Sequence, residues 1–335
     1  MNSFGRIFRV HIFGESHGES VGICIDGIPA GLHLTIDDFL PDIERRKGGI
    51  QKATTPRQET DLPIFKSGVF NHHTTGAPLT ILFENNNTRS GDYDKQRAIP
   101  RPGHADFVAH QKFGGFEDYR GGGHFSGRLT VALVAAGVIA KKLLKHITVQ
   151  ATITEVGGLP TVDAGIEKAI AAKDSVGGIV ECTVTGLPMG LGEPFFDSLE
   201  SVLAHAVFAI PAIKGIEFGA GFAAAKMLGS EHNDAILNSD GVTKTNHAGG
   251  IVGGISNNNP LVFRVAVKPT SSTPKIQESF NWETNTVEPF TVKGRHDLCI
   301  ALRVPVVLEA VTAIVLADFM LMNQLIPRIW NQLNK

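Results

Sequence analysis

Cysteine is scarce in this sequence, which has three cysteines among 335 residues. Cys24, Cys182 and Cys299 are widely spaced and follow no C-x-x-C pattern, so the sequence indicates neither a disulfide framework nor a zinc site. We expect three reduced and mostly buried thiols, as is typical of a cytosolic protein.

An excess of charge of one sign is also missing. The 31 Lys and Arg residues nearly balance the 33 Asp and Glu residues, which leaves a formal net charge of −2. This balance argues against a nucleic-acid-binding protein that works through a broad basic surface. Any positive potential must therefore be local.

The sequence has no long uncharged hydrophobic run. Its most apolar stretch, 304–325, is interrupted by Glu309 and Asp318, and it predicts a buried core helix rather than a membrane span. At the N-terminus, Arg6 and Arg9 lie inside the first apolar run, which is unlike a signal peptide. We expect a cytoplasmic protein with neither a membrane nor a nucleic acid as partner.

Periodic patterns predict short strands alternating with helices. Residues 7–13 and 21–26 are predicted strands around a tight turn, and Thr35 is a candidate N-cap for a helix that ends at basic residues 45–47. Residues 129–144 are apolar almost throughout and predict a buried helix. The apolar fraction of 42% is enough for a sizeable core.

The second half of the sequence repeats features of the first. Ser20-Val-Gly, a predicted strand and a Gly-Pro turn at 27–31 are echoed by Ser175-Val-Gly, a predicted strand and a Gly-Pro turn at 186–190. The polar loops of both halves are then expected to meet at a shared seam. Chance similarity of short Gly-Pro turns is the alternative.

A helix is expected after each of these turns. The second is predicted to open with Asp197 and Glu200, which have the spacing of a capping box. We infer a single α+β domain over residues 1–335, built from two pseudo-equivalent β/α halves of approximately 1–150 and 151–335.

Polar and glycine residues concentrate in four segments, 14–18, 45–57, 101–128 and 268–297. Arginine binds phosphate or carboxylate through a bidentate fork, and glycine lets the backbone approach a ligand closely. A helix N-terminus after Arg128 would add partial positive charge. We therefore predict an enzyme that acts on a multiply anionic, phosphorylated metabolite. Segment 45–57 is either a lid or an ordinary solvated helix end.

Two weaker signals are set aside. His72 and His73 are neighbours on a turn, point apart and have no third ligand at a suitable spacing, so no metal is expected. Residues 219–224 match the dinucleotide-binding pattern in its weaker form, but the βαβ unit that this pattern requires is not visible around them. Close helix–strand packing explains those glycines.

Six motifs span nearly the whole chain. They are Gly-Glu-Ser-His-Gly at 14–18, Arg-Pro-Gly-His-Ala-Asp at 101–106, Ser-Gly-Arg at 126–128, Asn-His-Ala-Gly-Gly at 246–250, Lys-Pro-Thr-Ser-Ser at 268–272 and Gly-Arg-His-Asp at 294–297. Any one of them is weak evidence, but together they resemble the chorismate synthase family, and they occur in the family's order.

The resemblance implies a fold, an assembly and a reaction. The fold is a β-α sandwich and the assembly is a homotetramer. The reaction is the 1,4-elimination of phosphate from 5-enolpyruvylshikimate-3-phosphate, which gives chorismate at the last common step of the shikimate route to aromatic amino acids. Such an enzyme is a carbon–oxygen lyase.

The resemblance also implies catalytic and substrate-binding residues. His17 would be an acid near the leaving phosphate, His104 would donate to the reduced flavin ring, and Asp297 would assist the flavin N5 as a base. The residues expected to bind the substrate are Ser16, Arg46, Ser126, Arg128 and Arg295. Three further arginines are nearby candidates, namely Arg45, Arg101 and Arg120.

A flavoprotein is implied as well. The resemblance implies a requirement for reduced FMN without net redox change, supplied by an external source of reduced flavin, and it associates FAD and NADP with the activity. The residues expected to contact FMN are Arg46, Lys52, His124, Phe125, Ser126, His247, Ala248, Asn258, Lys268, Pro269, Thr270, Ser271, Ser272 and Arg295.

Other functions are compatible with some of these residues. A phosphatase or phosphosugar lyase without flavin would use the arginines and histidines but not segments 246–250 and 268–272. A non-catalytic assembly protein would use the glycine loops for subunit packing. Taken alone, His17 and His104 could be turn or capping residues, and Asp297 could be a structural acid paired with Arg295.

Overall fold

The computed structural model describes residues 2–49, 53–55, 59–87, 97–292 and 296–330. In these residues the first half of the chain contains seven strands and three helices. The strands are β1 (Ser3–Phe4), β2 (Arg9–Gly14), β3 (Ser20–Asp26), β4 (Ile64–Ser67), β5 (Val69–Phe70), β6 (His73–Thr74) and β7 (Leu79–Glu84), and the helices are α1 (Leu40–Arg46), α2 (Asp106–Phe113) and α3 (Thr130–Leu144).

The second half of the described chain contributes eight strands and four helices. The strands are β8 (Thr148–Val156), β9 (Gly178–Thr185), β10 (Ile213–Phe218), β11 (Ile251–Val252), β12 (Ile255–Ser256), β13 (Leu261–Val267), β14 (Gln277–Asn281) and β15 (Thr286–Phe290). The helices are α4 (Val162–Ala172), α5 (Leu199–Val207), α6 (Gly229–His232) and α7 (Val304–Met322).

The two main sheets have corresponding strand orders apart from β1, an additional edge strand of the first sheet. The first is β1-β2-β3-β7-β4 and the second is β8-β9-β13-β10, with antiparallel pairing throughout both sheets. In each sheet, two adjacent strands precede a helix along the chain (α1 or α5), and the other two corresponding strands lie between that helix and a long apolar helix (α3 or α7). Alternate residues of the central strands are buried, as a sheet with one covered face requires.

The long helices α3 and α7 form the centre of the molecule. Helix α3 packs on the first sheet, α7 packs on the second, and the two helices pack against each other. They approach closely at Gly137, where an added Cβ would lie 2.3 Å from the Cβ of Ala310. This sandwich of sheets and helices confirms the expected α+β class.

Helix α7 is a core helix. The segment Ile300–Met322 is long and apolar enough to cross a membrane by length and composition, but 83% of its most apolar window is buried inside the protein. The buried helix expected within 304–325 is therefore confirmed, and so is the buried helix expected at 129–144. All three cysteines are free, and Cys182 and Cys299 are buried.

The predicted start of α5 is wrong by one residue. Ser198, not Asp197, is the N-cap, and its hydroxyl accepts a hydrogen bond from the Ser201 N–H at 3.1 Å. Asp197 instead forms an ion pair with Arg6, 191 positions away in the sequence. A capping pattern cannot anticipate such a distant partner.

Candidate active site

Two cavities adjoin at the N-terminal ends of α3 and α7. The large cavity has a volume of about 620 Å³ and the small cavity about 210 Å³. Ser126, Thr270 and His296 line both of them. The size of the large cavity is typical of a cofactor site, and the small one is suited to a compact metabolite.

Two buried arginines face the small cavity. Arg46, the last residue of α1, and Arg128, just before α3, both donate to the carboxylate of Asp61, with Arg46 Nη2 at 2.8 Å from Oδ2. Arg128 also donates to the side chain of Asn85 at 3.0 Å. The shared carboxylate holds two like charges side by side, an arrangement that suits the binding of an anion.

Burial and neighbouring charges shift the pKa values of Asp61 and Arg46. Burial alone would raise the pKa of Asp61, but the charges of Arg46 and Arg128 outweigh it and hold that pKa below its usual range. Burial, with the nearby charges of Arg303 and Arg128, lowers the pKa of Arg46 to about 10. Both groups therefore remain charged at neutral pH.

The turn between β2 and β3 brings His17 to the small cavity. His17 is 7% exposed and lines the cavity, whereas the adjacent Ser16 is fully buried and is not among the described residues that line either cavity. The turn is held by Asn85, whose side-chain amide donates to the carbonyls of Glu15 and Gly18. A Cβ at Gly121 would lie 2.3 Å from Cε1 of His17, so the imidazole needs glycine at that position.

Residues 101–106 form a compact polar unit beside the large cavity. The Asp106 carboxylate accepts from Arg101 Nε and Nη2 at 2.7 and 2.8 Å, and from the Arg101 backbone N–H at 3.1 Å. His104 Nδ1 lies 2.6 Å from the same carboxylate. Burial would raise the pKa of Asp106, but the hydrogen bonds from Arg101 and His104 hold it well below its usual range.

The segment 268–272 forms another wall of the large cavity. Lys268 Nζ donates to Ser271 Oγ at 2.6 Å and to the Gly103 carbonyl at 2.9 Å, and the Ser271 hydroxyl donates to the same carbonyl at 2.7 Å. Burial and the charge of Lys214 lower the pKa of Lys268. Residues that are distant in sequence are thereby joined into one polar rim.

His124, Phe125 and Ser126 also line the large cavity. His124 bonds through Nδ1 to the Gly14 carbonyl at 2.8 Å, and Phe125 is 41% exposed and presents an aromatic surface. The Ser126 hydroxyl accepts from the Arg128 N–H at the start of a 3-10 turn. The backbone of this segment leads directly into α3.

Asp297 lies at the small cavity with two partners. Its carboxylate accepts from the Thr55 N–H at 2.9 Å and from Arg303 Nη1 at 3.2 Å. Arg303 also donates to the Arg46 carbonyl at 2.8 Å. The start of α7 is thus tied to the end of α1, and this contact joins the two halves.

Sequence reasoning missed several lining residues. Pro211 and Ala212 line the large cavity, His205 does so from α5, and His296 lines both cavities. His296 lies inside the recognised motif 294–297, which was a usable signal. Pro211 and Ala212 carry no polar group, and nothing in their composition distinguishes them from core residues.

His247, Ala248 and Asn258 are not among the described residues that line either cavity. The backbone N–H groups of His247 and Ala248 donate to Asp234, and the Asn258 side chain donates to the Asp240 carbonyl. Within this chain they form a separate loop cluster between β10 and β13. The expectation that they contact FMN stays a prediction.

Two of the nearby arginines have structural partners. Arg45 forms a bidentate pair with Glu309 of α7, with both distances 2.7 Å, and it is not a lining residue of the two cavities. Arg120 is held by Asp118 at 2.8 Å. Lys52 and Arg295 lie outside the described residues, as does part of segment 45–57.

The two cavities together can hold a large, partly aromatic ligand and a small anion. The large cavity combines apolar side chains such as Leu133 and Ile314 with the hydroxyls of 270–272. In the small cavity, Arg46 Nε is buried without a hydrogen-bond partner among the described residues, and so is Thr270 Oγ1. Buried polar atoms of this kind indicate a place for a ligand.

Comparisons with known proteins agree with this geometry. Residues 8–321 match the family model of chorismate synthase. The chorismate synthase of Chitinophaga pinensis is 75% identical over 325 residues, covering 97% of this chain and 98% of that protein. One from Dehalococcoides mccartyi is 46% identical over 362 aligned positions, covering 99% and 100%. A crystal structure of chorismate synthase aligns with a TM-score of 0.72 at 25% identity, covering 96% of this chain and 93% of that one.

Proposed function

This chain belongs to the chorismate synthase family, whose known role is the final step of the shikimate pathway, and from that premise we propose its reaction in detail. It removes phosphate from 5-enolpyruvylshikimate-3-phosphate by 1,4-elimination and releases chorismate. The observation that carries the proposal is the small cavity, where the buried Arg46 and Arg128 stand beside His17.

The charges of the small cavity suit this substrate, which carries a phosphate and two carboxylates. Among the described residues, five cationic side chains and three carboxylates line the cavity, so a net positive charge of these residues faces the ligand. The cations are Arg46, Lys47, Arg101, Arg128 and Arg303, and the carboxylates are Glu59, Asp61 and Asp297. The arginine pair held by Asp61 is already formed, so little reorganisation is needed on binding.

His17 is the proposed acid for the leaving phosphate. An imidazole titrates near neutral pH and can donate a proton to a phosphate oxygen as the C–O bond breaks. Its burial in the small cavity beside the arginines excludes water from that proton transfer. Ser16, the adjacent residue of the same turn, is proposed to contact the substrate.

The large cavity is proposed to hold reduced FMN. Lys268 and the hydroxyls of Ser271 and Ser272 fit a phosphate-bearing ligand, and the buried Thr270 Oγ1 fits a ligand at the junction of the cavities. Reduced FMN, when bound, would supply electron density to the substrate without net redox change. His104 would donate a hydrogen bond from Nε2 when both of its ring nitrogens carry a proton, and Asp297 would hold a proton.

The reduced flavin is proposed to come from an external source, and the association with FAD and NADP belongs to the same proposal.

We also propose a homotetramer that works in the cytoplasm. Exposed aromatic side chains support an assembly, because Phe195, Phe196 and Phe222 are 87%, 95% and 83% exposed in the single chain.

An anaerobic assay tests the reaction. Protein, reduced FMN and 5-enolpyruvylshikimate-3-phosphate are mixed, and the diene absorbance of chorismate and free phosphate are followed together, with oxidised FMN as control. Equal release of both products, with reduced flavin alone, is the expected result. Phosphate without chorismate would instead identify a hydrolase built on the same arginines.

A further inference from the structure

The carboxylate of Asp106 lies directly behind the imidazole of His104. We propose that Asp106 is a positioning residue, which keeps the proton of His104 on Nδ1 and thereby directs Nε2 to the large cavity. The inference deepens the proposed function, on which its kinetic test rests. Its spectroscopic test does not depend on that function.

The contact between the two side chains is short and well supported. His104 Nδ1 lies 2.6 Å from Asp106 Oδ1. The carboxylate cannot turn away, because Arg101 holds Oδ2 through Nε at 2.7 Å and Oδ1 through Nη2 at 2.8 Å. An acceptor that is fixed in this way determines which ring nitrogen of its histidine carries a proton.

Arg101 is a competing partner for the same nitrogen. Its Nη2 lies 3.1 Å from His104 Nδ1, and it could donate to Nδ1 only if that atom carried no proton. The carboxylate contact is shorter and charge-assisted, and Arg101 already donates to Asp106 through two nitrogens. Asp106 therefore determines the tautomer.

The ring of His104 is also fixed from its other side. A Cβ added at Gly122 would lie 3.0 Å from His104 Cε1 and 3.3 Å from Nε2, so the imidazole packs closely on this glycine. Nε2 makes no hydrogen bond to the described residues, and His104 lines the large cavity. Any change of protonation in the ring then occurs at the atom that can meet a ligand.

The same reasoning predicts what an amide would do at position 106. In Asp106→Asn, the amide oxygen would keep the bonds from Arg101 Nε and from the Arg101 backbone N–H, because these groups can only donate, and the bond from Arg101 Nη2 to the other oxygen would be lost. The amide NH₂ would then point to His104 and donate to Nδ1. The imidazole would be left with its proton on Nε2, and that atom could no longer accept a proton.

Nitrogen NMR of the ligand-free protein labelled with ¹⁵N-histidine tests the tautomer. His104 is assigned by the signal lost in His104→Gln. In the wild-type protein, a protonated Nδ1 is expected, and a neutral ring protonated on Nε2 alone would overturn the proposal. In Asp106→Asn the proton is expected on Nε2. A protonated Nδ1 in the neutral ring of a folded variant would also overturn it.

A double-mutant cycle tests the consequence for turnover. His104→Ala and Asp106→Asn are each expected to lower kcat, the first by roughly 10²- to 10⁴-fold and the second by no more than the first. The double variant should be no slower than His104→Ala, because Asp106 acts through His104. Multiplied losses in the double variant would indicate an independent, structural role and overturn the proposal.

Glu117→Gln is the matched control. Glu117 Oε1 lies 3.2 Å from His110 Nδ1, so the change also replaces a carboxylate beside an imidazole, and neither residue lines the two cavities. Turnover and the His104 signals should remain those of the wild-type protein. A loss equal to that of Asp106→Asn would show that any nearby carboxylate has the same effect and would overturn the assignment.

Discussion

The two halves of the molecule share their strand order but differ in the loops that join the strands. In the first half, β2 and β3 are joined by the short turn that carries His17 into the small cavity. In the second half, β8 and β9 are joined by a longer connection that contains α4. The strand order is shared, whereas the turn that carries the proposed acid His17 has no counterpart in the second half.

The halves are alike where their long helices begin. Arg128 precedes α3 and donates to Asp61, and Arg303 precedes α7 and donates to Asp297. Both arginines line the small cavity. The site therefore lies between the halves, and neither half can form it alone.

Separating the halves is the strongest test of that comparison. Expressed alone, residues 1–146 and 147–335 should each be insoluble, because α3 and α7 bury their apolar surfaces against each other. Solubility and thermal melting of each fragment are the measurements. Two soluble fragments that melt cooperatively would show that each half has its own core.

His17→Ala tests whether the turn of the first half carries the chemistry. Loss of a general acid should lower turnover by roughly 10²- to 10⁴-fold with the melting temperature unchanged. His146→Ala is the control, because His146 is not a described lining residue of either cavity. Wild-type turnover in the His17 variant would remove its assigned role.

Arg128→Ala tests the buried ion pairs of the first half. It breaks a pair in which both side chains are at most 5% exposed, but Asp61 keeps Arg46 as a partner, so the free energy of unfolding should fall by about 1–3 kcal/mol. Arg264→Ala removes a partly exposed pair with Glu217 in the second sheet and should cost about 0–1 kcal/mol. Urea denaturation measures both, and equal losses would contradict the contrast.

Glu309→Gln tests the salt bridges that join the two halves. Glu309 of α7 is bound by Arg45 and Lys141 of the first half. Burial would raise its pKa, but these partners hold it below the ordinary value of 4.5. Its stabilisation is therefore present above pH 4.5 and is lost as the pH falls through the lower folded pKa.

At pH 7 the Glu309→Gln variant should be less stable than the wild-type protein by about 1.5–3 kcal/mol, since charge-assisted hydrogen bonds are lost. The difference should shrink as the pH falls below 4.5. Denaturation curves at several pH values measure it. A difference that is independent of pH would mean that packing, not charge, is responsible.

Gly137→Ala tests the helix crossing itself. The added methyl group would lie 2.3 Å from the Ala310 Cβ, and separating α3 from α7 should cost about 1–3 kcal/mol. At Gly229 an added Cβ would meet no atom within 4 Å, so Gly229→Ala should be close to neutral. Equal stability of the two variants would mean that the helices adjust without cost.

Much of the fold follows from local pattern. The buried helices near 129–144 and 304–325 were predictable because a nearly continuous apolar surface cannot be exposed to water. The motifs at 14–18 and 101–106 also pointed to residues that line the cavities. Pro211 and Ala212 were not predictable, because only the fold brings their apolar surfaces to the large cavity.

Two adjacent arginines, Arg45 and Arg46, show which properties the sequence predicts and which only the tertiary structure determines. Composition and spacing identified Arg45 and Arg46 as cations at a helix end, and no local rule distinguishes them. Successive side chains on a helix point about 100° apart, so Arg45 reaches Glu309 of α7 while Arg46 is buried against Asp61. Residue type and periodicity depend on the chain alone, whereas the partner of each charge depends on which distant segments pack together.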